Sequence, residues 1–317
     1  MSSEVLDILA DCGQDVTGAR VSPLPGGVSS ETALVDISGQ LLVVKRALGQ
    51  LNVSEEWTSA PERIIAEAAG LDWFHRLTPD HVPSPLGVSQ KYFGLVLPHA
   101  PSPCPDLRRV LLDDPTRAPA GVGRVLGNIA NIWHAASPEA ARGGELDDRV
   151  RVTELRLDPF YRDMATRWPT YSGVIGDLVD ELESATQCVV HGDFTPKNVL
   201  CLPDDSVWVI DTEVTHIGHP VLDTASMLAH LTIKTLHHRG LDTWHSVEAI
   251  RREFLDTVSD QPASVPPSLA AHVGLLMAVR VAGRARVPYL SPETTLSVEN
   301  YARELLHGAP LESLELS

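Results

Sequence analysis

The sequence predicts an α+β fold in two lobes, a small lobe built on an antiparallel sheet and a larger lobe that is mainly helical. Residues 1–100 contain β-branched segments separated by glycine turns, together with one helical pattern. From about residue 106 onward, apolar residues recur at the spacing of amphipathic helices. The segment between these regions, GLVLPHAPSPCPDL, is rich in proline. We therefore expect one lobe over residues 1–100, a hinge near 95–100, and a second lobe over residues 101–317.

The small lobe is expected to contain a hairpin followed by a helix. The segments ETALVDI and LLVVK are rich in β-branched residues, and the turn Ser38-Gly39 between them favours an antiparallel pair. The stretch SAPERIIAEAAGLDWFHRL carries apolar residues at helical spacing. We expect this helix to begin near Ser59 or Pro61.

The larger lobe is expected to be a set of amphipathic helices. Six segments have the apolar spacing of helices: GVGRVLGNIANIWHAA, IGDLVDELESA, VLDTASMLAHLTIKTLHHR, VEAIRREFLDTV, LAAHVGLLMAVRVAGRA and SVENYARELLHG. The chain shows no internal repeat and no low-complexity tract, which excludes a solenoid.

Composition excludes several classes of protein. The net charge of −17 argues against nucleic acid as the main partner. A negative surface suits a cationic substrate, although solubility explains the charge equally well. We find no run of about 18 apolar residues that would predict a membrane span, and the first residues lack the basic region of a secretory signal. Since the four cysteines form no CxxC pair, reduced thiols and a cytoplasmic location are expected.

The segment VVHGDFTPKNVL places a short polar loop between two apolar segments that are typical of buried strands. A further strand, VWVI, delivers Asp211 and Glu213 downstream. A strand hairpin would bring Asp193, Asn198 and Asp211 to one rim. One carboxylate to orient a hydroxyl, with two oxygen ligands for a hard cation, is what phosphoryl transfer from magnesium-bound ATP requires.

The pattern HGDFTPKN followed by IDTE resembles the catalytic and metal segments of the aminoglycoside phosphotransferase and choline kinase superfamily. That resemblance implies a bilobal protein-kinase-like fold, with Asp193 as the catalytic base and Asn198 and Asp211 as Mg²⁺ ligands. IDTE is similar to the metal segment of methylthioribose kinases, which implies that Glu213 also lies near the metal. Asp223 matches a buried residue that braces the catalytic loop, and we expect His191 to pack against that loop.

The same resemblance implies an ATP site in the small lobe. Lys45 at the end of LLVVK matches the lysine that reaches the α- and β-phosphates, and Glu67 matches its helix partner, with Glu62 as the rival. A loop with backbone N–H and hydroxyl groups would cover the phosphates. Its residues are Gly26, Gly27, Ser29 and Ser30. Backbone groups near the adenine would come from Pro98, His99 and Ala100, of which Pro98 offers only its carbonyl.

Several histidines carry weaker signals. HIGH at His216 to His219 is the ATP-binding tetrapeptide of class I aminoacyl-tRNA synthetases, but here it follows a carboxylate-bearing strand, so we reject that reading. His230, His237 and His238 lie on one predicted helix without the spacing of a zinc site. We expect a helix surface or a wall of the substrate pocket there.

The acceptor site is the part that the motifs describe least. Lys197 lies in the catalytic loop, where a place near the transferred phosphate and a solvated surface position are both open. Arg280, Arg284 and Arg286 are candidates for gripping an anionic or polyhydroxylated substrate, although a basic helix end would produce the same pattern. Acidic residues for an amine-bearing substrate are the alternative. The candidates are Asp158, Asp163 and Asp242.

We therefore expect an ATP- and Mg²⁺-dependent kinase that phosphorylates a hydroxyl of a small molecule. The resemblance implies that the acceptor is an antibiotic, an aminoglycoside or a nucleoside or sugar compound, inactivated by phosphorylation. The alternative is a metabolic sugar kinase of the methylthioribose kinase type. A protein kinase is disfavoured because no Ala-Pro-Glu segment follows Asp211. An inactive nucleotide-binding regulator is disfavoured because Lys45, Asp193, Asn198 and Asp211 are all present.

Overall fold

The computed structural model describes residues 2–24, 30–49 and 60–311. Its largest sheet lies at the N-terminal end of the chain. The strands are β1 (Arg20–Leu24), β2 (Ser30–Ile37), β3 (Gln40–Ala47), β4 (Gly87–Ser89) and β5 (Gly94–Pro98). Within the described ranges they form one antiparallel sheet in the order β1-β2-β3-β5-β4. Ser38 and Gly39 join β2 to β3 with φ of 53° and 90°, as the tight hairpin turn requires. The predicted hairpin is confirmed.

A helix that the sequence analysis did not assign covers one face of this sheet. Helix α1 (Ser2–Asp11) places Val5, Ile8 and Leu9 in a separate apolar core against the strands. A Cβ atom at Gly94 would lie 2.6 Å from the Ile8 side chain, so the helix sits close to β5. The small lobe therefore holds two helices instead of the single one expected.

The predicted helix of the small lobe joins the sheet to the rest of the molecule. Helix α2 (Arg63–Leu77) begins two residues after Pro61, whereas Ser59 lies outside the described residues. Its side chains enter the main core, and a Cβ atom at Gly70 would lie 2.9 Å from Cβ of Thr212. Since Thr212 belongs to the metal-binding segment predicted from IDTE, α2 is packed directly on that segment.

The larger lobe is mainly helical, as predicted. Its elements are α3 (Leu107–Asp113), α4 (Val122–Ala135), α5 (Val150–Val152), a π-helix (Thr153–Arg162), α6 (Asp163–Arg167), α7 (Ser172–Ser184), α8 (Val221–His237), α9 (Trp244–Val258), α10 (Leu269–Val281) and α11 (Pro292–Leu306). Helix α4 packs on α9, and α10 packs on both α8 and α11. All six segments with helical spacing are confirmed as helices, and so is the α+β class. The sheet ends at Pro98 and α3 begins at Leu107, and we retain the lobe boundary near residue 100 as a proposal.

Two short strand pairs hold the polar loop of VVHGDFTPKNVL. Strand β6 (Cys188–Val190) pairs with β9 (His216–Gly218), and β7 (Val199–Cys201) pairs with β8 (Val207–Val209). The loop thus runs from one two-stranded ladder into another. Because both flanking strands are buried and paired, the ends of the loop are held in place.

One helical segment, Pro262–Val281, is long and apolar enough to cross a membrane by length and composition. Its mean hydropathy is 1.3, and 56% of the 18-residue stretch that meets the criterion is buried inside the protein. The regular α-helix within it is α10, which packs on α8 and α11. A core helix passes the same test, so this segment is weak support for a membrane span.

Candidate active site

The backbone of the HGD segment is held by a buried aspartate. Asp223, in the first turn of α8, accepts hydrogen bonds from the backbone N–H groups of His191 and Gly192, both at 2.8 Å. Gly192 has φ of 77°, and a Cβ atom there would lie 2.6 Å from the carbonyl oxygen of Val214. Only glycine fits this conformation and this close approach. Asp223 thus lies where a brace of the loop was expected.

Both ring nitrogens of His191 make hydrogen bonds within the protein. Its Nδ1 accepts from the backbone N–H of Asp193 at 3.2 Å, so Nε2 carries the proton and donates to the carbonyl of Ile210 at 3.1 Å. The ring also stacks near Phe74 and Trp133 in the core. His191 therefore ties the loop to the segment that precedes Asp211 and is unsuited to act as a base.

Asp193 is surrounded by positive charge. Its Oδ1 lies 2.8 Å from Nη2 of Arg156, and its Oδ2 lies 3.0 Å from Nζ of Lys197 and accepts from Nδ2 of Asn198 at 2.9 Å. Burial disfavours the carboxylate, but the charges of Arg156, Lys197 and Arg280 outweigh burial and lower the pKa of Asp193 far below its ordinary value. The group is ionised at any working pH, so it can accept a hydrogen bond from a hydroxyl.

Asn198 and Asp211 are brought side by side by the backbone. The N–H of Ile210 donates to the carbonyl of Asn198 at 3.0 Å, and Asp211 follows directly. Asp211 has φ of 71°, a left-handed conformation that costs an aspartate about 1 kcal/mol or more. Because Nδ2 of Asn198 is used by Asp193, the amide oxygen is the atom left for a cation. A carboxylate and an amide oxygen form a donor set that fits Mg²⁺.

Lys45 connects the sheet to this site. Its Nζ forms ion pairs with Oε1 of Glu67 on α2 and, at 2.8 Å, with Oδ1 of Asp211. Burial disfavours the charged amine, but the carboxylates of Asp211, Glu67 and Glu213 outweigh it and raise the pKa of Lys45 above its ordinary value. The rival, Glu62, directly precedes α2. The structure thus pairs Lys45 with Glu67, as the resemblance implies.

Glu213 forms a second contact between α2 and the predicted metal segment. Its Oε2 lies 3.1 Å from Nε of Arg63, a buried residue at the start of α2. Beside it, the hydroxyl of Thr212 donates to the carbonyl of Glu67 at 2.7 Å. The ion pair with Arg63 engages one of the two carboxylate oxygens of Glu213.

The predicted nucleotide contacts of the small lobe are placed only in part. Gly26, Gly27 and Ser29 lie outside the described residues, and Ser30 is the buried first residue of β2. In the hinge, the N–H of His99 donates to the carbonyl of Leu41 at 3.4 Å, which continues the sheet beyond Pro98. Since Pro98 has no N–H, the backbone of Ala100 is the next donor along the chain.

The acceptor candidates divide into two groups. Lys197 and Arg280 lie near Asp193, the first in direct contact and the second close enough for its charge to lower the pKa of that carboxyl. Arg284 instead lies 3.6 Å from Asp163. It lines a cleft of about 410 Å³ along the π-helix and α6. The acidic candidates are mostly paired with arginines or exposed: Asp158 with Arg162, Asp163 with Arg167, and Asp242 exposed.

Arg156 is the residue of the candidate site that sequence reasoning missed. It lies in the π-helix, donates from Nε to the carbonyl of Gly192 at 2.9 Å, and pairs with Asp193. No motif surrounds it in the sequence, and the irregular helix that carries it contains Pro159. The sequence around Arg156 gives no signal of its role, and its burial becomes visible only in the structure.

Three further histidines make hydrogen bonds within the protein. His216 lies in β9 with its Nδ1 2.8 Å from the carbonyl of Val214, and burial lowers its pKa to about 4. Nδ1 of His219 accepts from the N–H of Val221 at 3.0 Å. His238 bridges the carbonyl of Leu111 and the hydroxyl of Thr243. Within HIGH, His216 to Gly218 form β9, and His219 lies two residues before α8. This placement agrees with the rejection of HIGH as an ATP motif.

Solved structures of small-molecule kinases resemble the chain over nearly its whole length. Aminoglycoside phosphotransferase APH(4)-Ia is 14% identical, with 98% of this chain and 100% of that chain covered and a TM-score of 0.56. An aminoglycoside phosphotransferase from Alicyclobacillus acidocaldarius is 14% identical (95% and 92% covered, TM-score 0.52). Choline kinase LicA from Streptococcus pneumoniae is 11% identical (92% and 94% covered, TM-score 0.50). At such identities the likeness shows the fold alone, which is the predicted kinase-like fold.

Sequence comparison adds the family. No curated protein sequence matches the chain. The model of the phosphotransferase enzyme family matches residues 20–254, well over half of the chain. The chain therefore belongs to this family, and with the fold of its structural neighbours it is a phosphotransferase of small molecules.

Proposed function

We propose that this protein transfers the γ-phosphate of ATP, with Mg²⁺, to a hydroxyl group of a small molecule. The observation that carries the proposal is the joint contact of Lys45 with Glu67 and Asp211, next to the Asp193 and Asn198 pair. These five side chains come from four separate parts of the chain. Their convergence supplies a phosphate-binding amine, two oxygen ligands and a carboxylate for the acceptor in one place.

Each residue has a distinct task in this scheme. Asp193 orients the acceptor hydroxyl and accepts its proton as the phosphoryl group transfers. Its low pKa makes it a weak base, so orientation is its larger contribution. Lys45 binds phosphate oxygens, and Asn198 and Asp211 hold the cation. When bound by these two residues, the cation would supply positive charge to offset that of the phosphates. Arg156 and Lys197 keep Asp193 ionised and in place.

The acceptor class rests on the structural neighbours. One is APH(4)-Ia in ternary complex with ADP and hygromycin B, and another is APH(2")-IIa in ternary complex with streptomycin and ATP, at TM-scores of 0.56 and 0.50. An antibiotic acceptor in a resistance enzyme is the corresponding proposal for this chain. A metabolic sugar kinase of the methylthioribose kinase type is the second candidate. Glu213 favours it, since that carboxylate follows Asp211 by two residues and its charge reaches Lys45.

An ATP-consumption screen tests the proposal. Wild-type protein with Mg²⁺ is offered aminoglycosides, nucleoside antibiotics, methylthioribose, choline and homoserine, with Asp193→Asn as the blank. We expect at least one acceptor to be consumed by the wild type and not by the variant. A generic protein substrate serves as a further arm, and its labelling would favour a protein kinase. A protein that ATP stabilises against heat but that consumes none with any acceptor would contradict the proposal.

A further inference from the structure

A cluster of buried and half-buried polar side chains lies beside the catalytic loop and has no task in the scheme above. Its members are His230 and Lys234 on α8, Arg280 in the last turn of α10, and Tyr289 beyond α10. We call these four residues the α8–α10 cluster. His230 and Lys234 are four residues apart, so they lie on one face of their helix.

Lys234 is the unusual member. Its side chain is fully buried, and within the described part of the chain no carboxylate lies within ion-pair distance of its amine. Nζ donates a long hydrogen bond of 3.4 Å to the carbonyl of His230 and lies 5.8 Å from the centre of the Tyr289 ring. Burial, together with the positive charges of Arg108 and Arg280, lowers the pKa of Lys234 to about 7. A buried lysine without a counter-ion is costly for a fold to keep.

Two further groups of the cluster are buried without a partner. Nε2 of His230 and Oη of Tyr289 make no hydrogen bond to any described residue, although both atoms are inaccessible to solvent. Buried polar atoms in native proteins nearly always have a partner, so two such atoms around one amine indicate a site for a ligand. Tyr289 and Arg280 are only half-buried, which opens the cluster to solvent on that side.

The cluster adjoins the transferring end of the active site. The guanidinium groups of Arg280 and Arg156 lie 5.1 and 5.3 Å from the same ring, that of Phe160, and Arg156 is paired with Asp193. Helix α8 also contacts the turn Pro196–Asn198 of the catalytic loop. A molecule whose hydroxyl reaches Asp193 could therefore place another part of itself against the cluster.

From this arrangement we propose that the α8–α10 cluster binds an anionic group of the acceptor, a phosphate monoester or a carboxylate, through Lys234, Arg280, Tyr289 and His230. The inference rests on the proposed phosphotransfer function. An anion would supply the missing counter-ion for Lys234 and a partner for the Tyr289 hydroxyl. The positive charges of Arg108 and Arg156 lie nearby, and the acidic groups are Asp106, which acts on Lys234, and Asp193, which acts on Arg280 and His230. A polycationic aminoglycoside would meet repulsion there, so the cluster favours an anionic acceptor over such a substrate.

Anion binding by the whole protein tests this inference without any knowledge of the acceptor. Inorganic phosphate and acetate are titrated separately by calorimetry into wild type, Lys234→Met, Tyr289→Phe and the control Lys91→Met, which replaces an exposed lysine of the small lobe. We expect saturable binding that weakens roughly tenfold or more in Lys234→Met, less in Tyr289→Phe, and not at all in Lys91→Met. Whether phosphate or acetate binds more tightly tells which acceptor group the cluster takes.

The outcomes separate this inference from the proposed function. Absence of binding, or binding that survives in Lys234→Met and Tyr289→Phe but is lost in Lys45→Ala, would overturn the inference and locate the anion at the nucleotide site. In the transfer assay, acceptor pairs that differ only in a phosphate or carboxylate should show a preference for the anionic member that Lys234→Met removes. Anion binding that depends on Lys234, in a protein that transfers no phosphate, would sink the proposed function and leave the anion site standing.

Discussion

The catalytic loop and the α8–α10 cluster both bury charge in the same lobe, but they treat it in opposite ways. Asp193 has three partners that together satisfy both carboxylate oxygens. Lys234 is equally buried and has one long bond to a carbonyl. A fully paired group is held in a fixed geometry, whereas an unpaired one carries a standing cost that a ligand can remove. The comparison distinguishes Asp193, which the protein itself holds in position, from Lys234, for which we propose a ligand as the partner.

The largest effect is expected from a substitution of Asp193, the fully paired carboxylate. Asp193→Asn keeps the size of the side chain but removes the negative charge that orients the hydroxyl. We expect kcat to fall roughly 100-fold or more, with nucleotide binding nearly intact. Steady-state kinetics measures the change, and Asp177→Asn, an exposed residue of α7, is the matched control. Activity above about a tenth of wild type would refute the role of Asp193.

The metal ligands come next in expected effect. Asp211→Ala removes the carboxylate of the proposed Mg²⁺ site and one of the two partners of Lys45. We expect the Mg²⁺-dependent part of the ATP-induced rise in melting temperature to disappear. Thermal melts with ATP, in Mg²⁺ and in EDTA, measure it, and Asp177→Ala serves as control. An unchanged shift in Mg²⁺ would show that Asp211 holds no metal.

A substitution of Lys45 tests whether the small lobe binds ATP or the acceptor. Lys45→Ala removes the amine that Glu67 and Asp211 hold, so we expect KM for ATP to rise roughly tenfold or more. The KM for the acceptor should change less, because no acceptor candidate contacts Lys45. Kinetics with each substrate varied in turn decides the ranking, alongside Lys91→Ala. A larger effect on the acceptor than on ATP would count against this assignment.

The smallest expected effect is on stability, and it tests whether the buried amine of Lys234 lacks a partner. The pKa of Lys234 in the folded protein, about 7, is below that of an unfolded lysine, so the unfolded chain binds more protons between pH 7 and about 10.5. Wild-type stability should therefore rise with pH across that window. Lys234→Met should melt higher than wild type by a margin that is full below pH 7 and shrinks as pH rises. Each kcal/mol corresponds to roughly 2 to 4 °C.

Melting curves of both proteins from pH 6 to 10 measure that margin. The charged or titratable groups coupled to Lys234 in the fold are Arg108, Arg280, Asp106, His230, His237 and His238. Both proteins share them, so the difference between the two curves isolates Lys234. A variant that melts below wild type across the range would show that the amine is already satisfied.

Much of the site could be predicted because its residues stand at the ends of short buried strands. Lys45 lies in β3, and Asn198 and Asp211 adjoin the β7–β8 hairpin, so each follows from local apolar pattern and spacing. Arg156 could not be found in this way, since its partner lies 37 residues away across an irregular helix. Arg63, which holds Glu213, is 150 residues from it in sequence. Neither pairing leaves a trace in the residues around it.

The sequence by itself determined the β2–β3 hairpin, helix α2, the six long helices of the larger lobe, the two-lobed α+β class and the polar loop between buried strands. These depend on periodicity and turn residues within a few positions of one another. Only the tertiary structure decided which charges are paired: Asp193 with Arg156, Glu213 with Arg63, and Lys234 with no carboxylate among the described residues. The reason is physical. An ion pair depends on where distant segments meet in three dimensions, and no local pattern encodes that distance.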